Sequence, residues 1–349
     1  MRLAPVMILC GLTCAAAAGT AEGTFYLKVT NSYLGPFRSP EASLVPVAEC
    51  PFLDHLKTNG YTAVTLRRTG AGLFEFPFSY MRTNACLMVD SGAGNNLIYR
   101  SFAEALNLNT VRTKSNIGLI DMANFERKII LESGLRYSIG QRFIVRPDRP
   151  SATNQVPYVV PDRWKSFGIL GAGFLKQHRA IMDYTSETLF LNSARQRRSN
   201  RSGLSRQAME ADAYTPIPLT WNSKMQKWSV SGRLNGTPVI FLVDTGAGMT
   251  CIDRPLASRI VFSGVKTESA LTGETHRQDA KATRVAVTEL QLGSVETRLS
   301  HAYITPPGGH NTAGALIGAD VFVMHNAVLD FGANVLYLRS ADKHVKKSR

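Results

Sequence analysis

Two aspartates occupy the same setting in this chain. Residues 87–96 read LMVDSGAGNN and residues 241–250 read FLVDTGAGMT. In each stretch an apolar run ends in an acid, Asp90 or Asp244, followed by a hydroxyl residue, Ser91 or Thr245, and then by glycines flanking an alanine. A carboxylate at the end of a buried strand is costly to ionise. The cost has a use if the two acids meet: neighbouring carboxyls share one proton and titrate as a unit. One member then acts as base on a water while the other polarises or protonates a carbonyl. Gly92 and Gly246 permit a sharp turn and the close approach of another segment. The hydroxyls of Ser91 and Thr245 can brace the acids through hydrogen bonds to neighbouring backbone.

The elements needed to bring the acids together recur as well. Laying Asp90 on Asp244 also matches Val89 with Val243, Gly92 with Gly246, Ala93 with Ala247 and Gly94 with Gly248. Downstream, GILGAGFLKQHRAIMDYTSETLFL (168–191) lies against ALIGADVFVMHNAVLDFGANVLYL (315–338), pairing Gly171 with Gly318, His178 with His325 and Asp183 with Asp330. The chain reads as two diverged copies, 61–192 and 214–340, a duplicated domain and not a short-period solenoid. An Arg/Ser-rich linker (193–213) joins them, residues 23–60 form an N-terminal extension or pro-segment, and 341–349 are a basic tail. KWSVSGRLNGTPVIFLVDTG predicts a hairpin about LNGTP. SFAEALNL and RPLASRI predict short helices, and Gly140 and Gly293 predict turns. The fold class is all-β, with two small helices per copy.

Residues 1–22 have one Arg, an apolar stretch and small residues after it, the pattern of a secretory signal. The stretch is shorter than the ~20 apolar residues of a membrane span, and no later segment qualifies. The expected location is therefore periplasmic or secreted, with no integral membrane span. Removing the signal leaves Cys50, Cys86 and Cys251. That number excludes a full disulfide framework and the spacing fits no zinc template, so buried thiols are expected, with a Cys50–Cys86 bridge as the alternative. The net charge is +14, and the stretches 194–206 and 339–349 hold ten of the forty basic residues; these runs contain no aromatic residue to interleave with bases. A nucleic-acid partner is not expected; neither a metal nor a cofactor is called for.

LVDTGAG with its downstream ALIGADVF resembles the retropepsin-like (retroviral-type) aspartic proteases, and MVDSGAG with GILGAGFL resembles their Asp-Ser-Gly variant. The resemblance runs from about 61 to 340. It implies two retropepsin-like β-barrel lobes related by a pseudo-two-fold, with the active cleft between them. A single chain supplies both acids, implying a monomer. It further implies Asp90 and Asp244 as the catalytic dyad, Ser91, Gly92, Thr245 and Gly246 as its support, and a peptide or protein substrate. Flaps are implied near 115–128 and 269–279, with Gly118 and Gly273 as turn residues. This chain departs from the pattern in three places: its flap segments lack a tyrosine, Gly173 stands where the second copy has Asp320, and Asn95 and Asn96 stand where it has Met249 and Thr250.

Plainer readings were weighed against these. A single motif of this kind is also a tight turn whose aspartate caps a helix, and it is the second copy in register that tells against this. His178 and His325 have no companion ligands and suit helix ends. Asp183 and Asp330 suit local backbone bonds in a closing hairpin. Ser91 lacks the flanking glycines of a nucleophile elbow. The expected function is an exported aspartic endopeptidase; the alternative is a catalytically silent peptide-binding or envelope structural protein that retains the protease fold.

Overall fold

The computed structural model describes residues 52–69, 72–80, 83–99, 166–192, 204–270, 281–297, 299, 301–305 and 314–339. It adds the backbone of the strands Phe25–Lys28, Ser43–Pro46, Thr110–Arg112, Gly118–Ile120, Ile129–Ile130, Arg136–Tyr137 and Phe143–Arg146. Mostly strand with a few short helices, it forms two ten-stranded sheets, a six-stranded sheet between them and a two-stranded pair near the N-terminus.

Both large sheets have the same strand order. The strand leading to each aspartate, Thr83–Asp90 or Thr237–Val243, pairs antiparallel with the strand before it, Phe74–Tyr80 or Lys227–Leu234. Its other edge pairs parallel with a strand from much later in the chain, Ser166–Gly171 or Ala315–Ile317. That later strand in turn pairs antiparallel with the strand after the motif, Asn96–Tyr99 or Cys251–Asp253. Central strands covered on both faces must be apolar throughout, and the residues before Asp244 meet this demand: Phe241, Leu242 and Val243 are all buried. The hairpin about LNGTP is present, with Asn235 and Gly236 both at positive φ, the backbone an Asn-Gly turn requires. Gly293 also turns at positive φ. RPLASRI forms the helix Arg254–Ala257, started by the Asp253 carboxylate, which accepts from Leu256 N at 2.9 Å.

The six-stranded sheet is antiparallel throughout and draws three strands from each half. At its centre Ile181–Asp183 pairs with Val328–Asp330, and Tyr61–Thr65 and Tyr214–Pro218 form its two edges. Alternate side chains point to opposite faces of a sheet. Met182, Leu189 and Leu329 point into the main core shared by the lobes, whereas Ile181, Phe190 and Val328 point the other way.

That second face corrects two of the boundaries. Helix Leu53–Thr58 lies within the stretch 23–60, and helix Arg206–Ala211 lies within the stretch 193–213. Both pack on the outer face of the six-stranded sheet, burying Phe52, Leu56, Leu204 and Met209. Residues 52–60 are therefore part of the folded body and not of a detachable extension, and 204–213 are not a bare linker. Six-residue helices are too short to present a 3.6-residue periodicity. The Ser205 hydroxyl that accepts from Ala208 N was the readable signal for the second helix.

Gly118 is a further correction. It is not a turn residue: it opens the strand Gly118–Ile120, paired with Arg112 on one side and Val145 on the other. Gly273, Gly140, SFAEALNL, residues 1–22, Cys50 and the tail lie outside the described residues. Cys86 and Cys251 are both buried, and burial raises each thiol to about 12.

Candidate active site

Each aspartate is held first by its own loop. Gly92 N and Ala93 N donate to Asp90 Oδ1 at 2.7 and 3.0 Å, and Gly246 N donates to Asp244 Oδ1 at 2.9 Å. A carboxylate at the end of a strand thus receives the N–H groups that the turn leaves unpaired.

A second layer of bonds joins the lobes. Ser91 N donates to Thr245 Oγ1 at 3.0 Å, and that hydroxyl donates to Val89 O at 2.9 Å. Reciprocally, Thr245 N donates to Ser91 Oγ at 3.0 Å, and Ser91 Oγ donates to Val243 O at 2.7 Å. Both side chains are fully buried. Each hydroxyl accepts from one backbone and donates to the next, so four polar groups are satisfied by two side chains and none is left orphaned. This crossed pattern draws Asp90 and Asp244 into hydrogen-bonding contact with each other. It also accounts for the glycines: a Cβ on Gly92 would collide with the Asp244 carboxyl, and one on Gly246 with that of Asp90.

The parallel strand behind each motif closes the arrangement. Ala172 N donates to Ala93 O at 2.7 Å and Ala319 N to Ala247 O at 2.8 Å. Gly171 and Gly318 lie so close to the crossing loops that any side chain would strike Asn95 or Met249 backbone. His178 and His325 each end the following helix, with His325 Nδ1 bonded to Arg339 O at 3.0 Å. Asp183 and Asp330 accept local backbone bonds from Thr185 N and Ala333 N at 2.8 Å.

Burial is the first cause of electrostatics at the centre. It raises both carboxyls, and the adjacent Asp244 charge pushes Asp90 further, well above the usual carboxylate range. Asp244 is raised less, because its bond from Asp90, the Gly246 N–H and the charge of Lys227 favour its ionised form. The pair accordingly keeps one shared proton at a pH where isolated carboxyls have lost theirs. Its bare face can hold a water between an ionised and a protonated carboxyl.

Some residues near the site were not singled out from sequence. Lys227 opens the strand that pairs with the Asp244 strand, at the position Leu73 fills in the first lobe. Its neighbourhood becomes visible only once that ladder's register is known. Asn96 and Thr250, noted as departures, prove to bond the strand behind each motif: Asn96 Oδ1 accepts from Gly171 N at 2.9 Å and Thr250 Oγ1 from Gly318 N at 3.3 Å. Among the described residues, no group of three or more His, Cys, Asp or Glu is placed to hold a metal, and no helix is long and apolar enough to cross a membrane.

Residues 230–323 match the family model described as "gag-polyprotein putative aspartyl protease". No curated protein matches the chain. Among solved structures, the chain is similar to basic 7S globulin from soybean at 10% identity, covering 80% of this chain and 95% of that one with a TM-score of 0.39. It is similar to conglutin gamma, a basic 7S globulin from lupine seeds, at 11% identity, 80% and 95% coverage and a TM-score of 0.40. A retropepsin-like aspartic protease from Rickettsia conorii is similar at 18% identity, covering 36% of this chain and 92% of that one, with a TM-score of 0.29. The stretch around Asp244, with the strand and glycine behind it, thus falls within the part of the chain that is similar to gag-type aspartyl proteases.

Proposed function

We propose that this retropepsin-like chain is an exported aspartic endopeptidase that completes its dyad within one polypeptide and acts as a monomer. The observation that carries the reading is the meeting of Asp90 and Asp244, one from each half, under a reciprocal Ser91–Thr245 grip. In this reading the ionised member takes a proton from a water held between the two carboxyls, and the water attacks a peptide carbonyl. The protonated member donates to the carbonyl oxygen and stabilises the tetrahedral intermediate. The proton taken from water then passes to the amide nitrogen as the C–N bond breaks, and a hydroxyl of the collapsing gem-diol returns a proton to the other carboxylate, which leaves a carboxylic acid, an amine and the dyad with its one shared proton. The loop N–H groups at Oδ1 of each acid fix the carboxyl planes, so little reorganisation accompanies proton transfer. Export is supported by the signal-like composition of residues 1–22.

The test is cleavage of an unbiased peptide library by mature protein beside Asp90→Ala and Asp244→Ala, from acidic to neutral pH. Wild type is expected to cut, and either variant to lose at least about 100-fold in rate while staying folded. A wild type that cuts nothing at any pH, or a variant that still cuts, would overturn the reading. N-terminal sequencing of protein recovered outside the cytoplasm checks export, with a first residue expected near Gly19 to Glu22.

A further inference from the structure

Residues of the second lobe line a cavity of about 390 Å³. Met225, Leu242 and Leu256 are among the apolar residues that line it. Leu242 precedes Asp244 by two positions on the same strand, so the cavity opens next to the reacting carboxyls. Met225 O approaches Gly94 of the first lobe's motif loop, which sets the cavity at the junction of the lobes. Two cations line it, Lys227 and Arg259, and no acidic side chain does. Neither cation makes an ion pair among the described residues. Lys227 is near enough to act on the Asp244 charge.

The described part of the first lobe differs at a matching position. There Glu75 occupies the place of Ser229 in the ladder, opposite Met88 as Ser229 is opposite Leu242. Its carboxylate is paired with Arg67, and both side chains are buried. One side of the dyad has therefore neutralised its charge internally, while the other presents two uncompensated cations over an apolar floor. An apolar floor with a cationic rim suits a side chain that has methylenes and ends in an anion.

We propose that this cavity is a specificity pocket for an acidic residue of the substrate, with Lys227 and Arg259 receiving its carboxylate and Leu242 and Leu256 its methylenes. The inference rests on the peptidase reading for its catalytic consequence, but the pocket's binding preference stands apart from it. The internally paired charge of Arg67 and Glu75 on one side and the cationic rim on the other make the selection one-sided: one substrate position should select Glu, and its counterpart across the scissile bond should not.

The experiment uses decapeptide libraries in which one position at a time is fixed as Glu, Gln or Leu. They are assayed for cleavage by wild type and for binding to Asp90→Asn by fluorescence anisotropy. One charge-assisted contact should favour Glu over Gln by about ten-fold at a single position. Added salt should reduce the preference. Lys227→Met with Arg259→Met should abolish the preference, and Lys227→Glu should transfer it to libraries fixed as Lys. The charge swap controls for misfolding, since a misfolded protein gains no new preference. Cleavage or binding without a Glu preference, or a preference unmoved in these variants, would overturn the pocket. Selective binding without cleavage would keep the pocket and overturn the peptidase reading; loss of both binding and cleavage would overturn both.

Discussion

Behind Asp244 the chain secures its loop with a pair of side chains, and behind Asp90 with a single amide. In the second lobe Asp320 accepts from Thr250 N and Thr250 Oγ1, both at 2.8 Å, and that hydroxyl accepts from Gly318 N. In the first lobe Asn96 reaches Gly171 N directly, and Gly173 occupies the place of Asp320. A Cβ at Gly173 would come within 3.1 Å of Gly94 O and 3.4 Å of Gln226 Oε1. The space vacated by the missing acid is thus filled by the other lobe's hairpin. A second contrast lies one ladder away: a buried Arg67–Glu75 pair in the first lobe has Thr220 and Ser229 in its place in the second. The same backbone topology tolerates different polar solutions at matching places.

The comparison can be broken most forcefully at the ion pair. Glu75→Ala leaves a buried guanidinium without its carboxylate and should cost about 3–5 kcal/mol by denaturant unfolding. Ser229→Ala, at the corresponding place, should stay within about 0.5 kcal/mol. Equal costs would mean that the pair is not buried in the sense described.

The dyad permits a sharper test with an intermediate effect. Its folded proton affinity is raised above that of the unfolded chain, by burial first and the neighbouring charge second. This contribution to stability is therefore full below the unfolded carboxylate value, about 4, and is lost as pH rises through the raised folded value. Asp90→Asn and Asp244→Asn lack that loss, so each should be more stable than wild type at neutral pH, on the order of 1–3 kcal/mol. Thermal melts across pH should show the gap closing toward acid. A variant no more stable than wild type at neutral pH would show that the dyad carries no such pH-dependent cost.

The smallest effect concerns the loop locks. Asn96→Thr and Gly173→Asp should each destabilise by roughly 1 kcal/mol or more, one by orphaning Gly171 N and the other by crowding Gly94 and Gln226. Together they rebuild the second lobe's pair in the first, so the double variant should cost less than the sum, with a coupling of about 0.5–2 kcal/mol in a double-mutant cycle. Additive costs would show that the Thr–Asp arrangement cannot be transplanted.

Reading along the chain brought out the residues that meet at the centre because their constraints are local. Asp90, Ser91, Gly92 and their counterparts Asp244, Thr245 and Gly246 each satisfy a turn, a cap or a close approach within a few residues. The short helices at 53–58 and 206–211 were not legible, since what holds them is the outer face of a sheet built from distant strands. Gly118 was placed at a turn because glycine permits one, whereas ladder register decides where a hairpin reverses, and register is a property of two strands at once.

The sequence by itself determined that two equivalent acids end buried strands, each with a hydroxyl and a glycine beside it, in an all-β chain. It also determined that a strand and glycine recur behind each motif. Only the tertiary structure decided that Ser91 and Thr245 would cross between lobes, that Gly173 would yield its space to Gln226, and that Lys227 and Arg259 would border one cavity beside Asp244. These depend on contacts between residues far apart in the chain. Such contacts are set by packing and by the need to partner each buried polar group, and neither is encoded within any one stretch of residues.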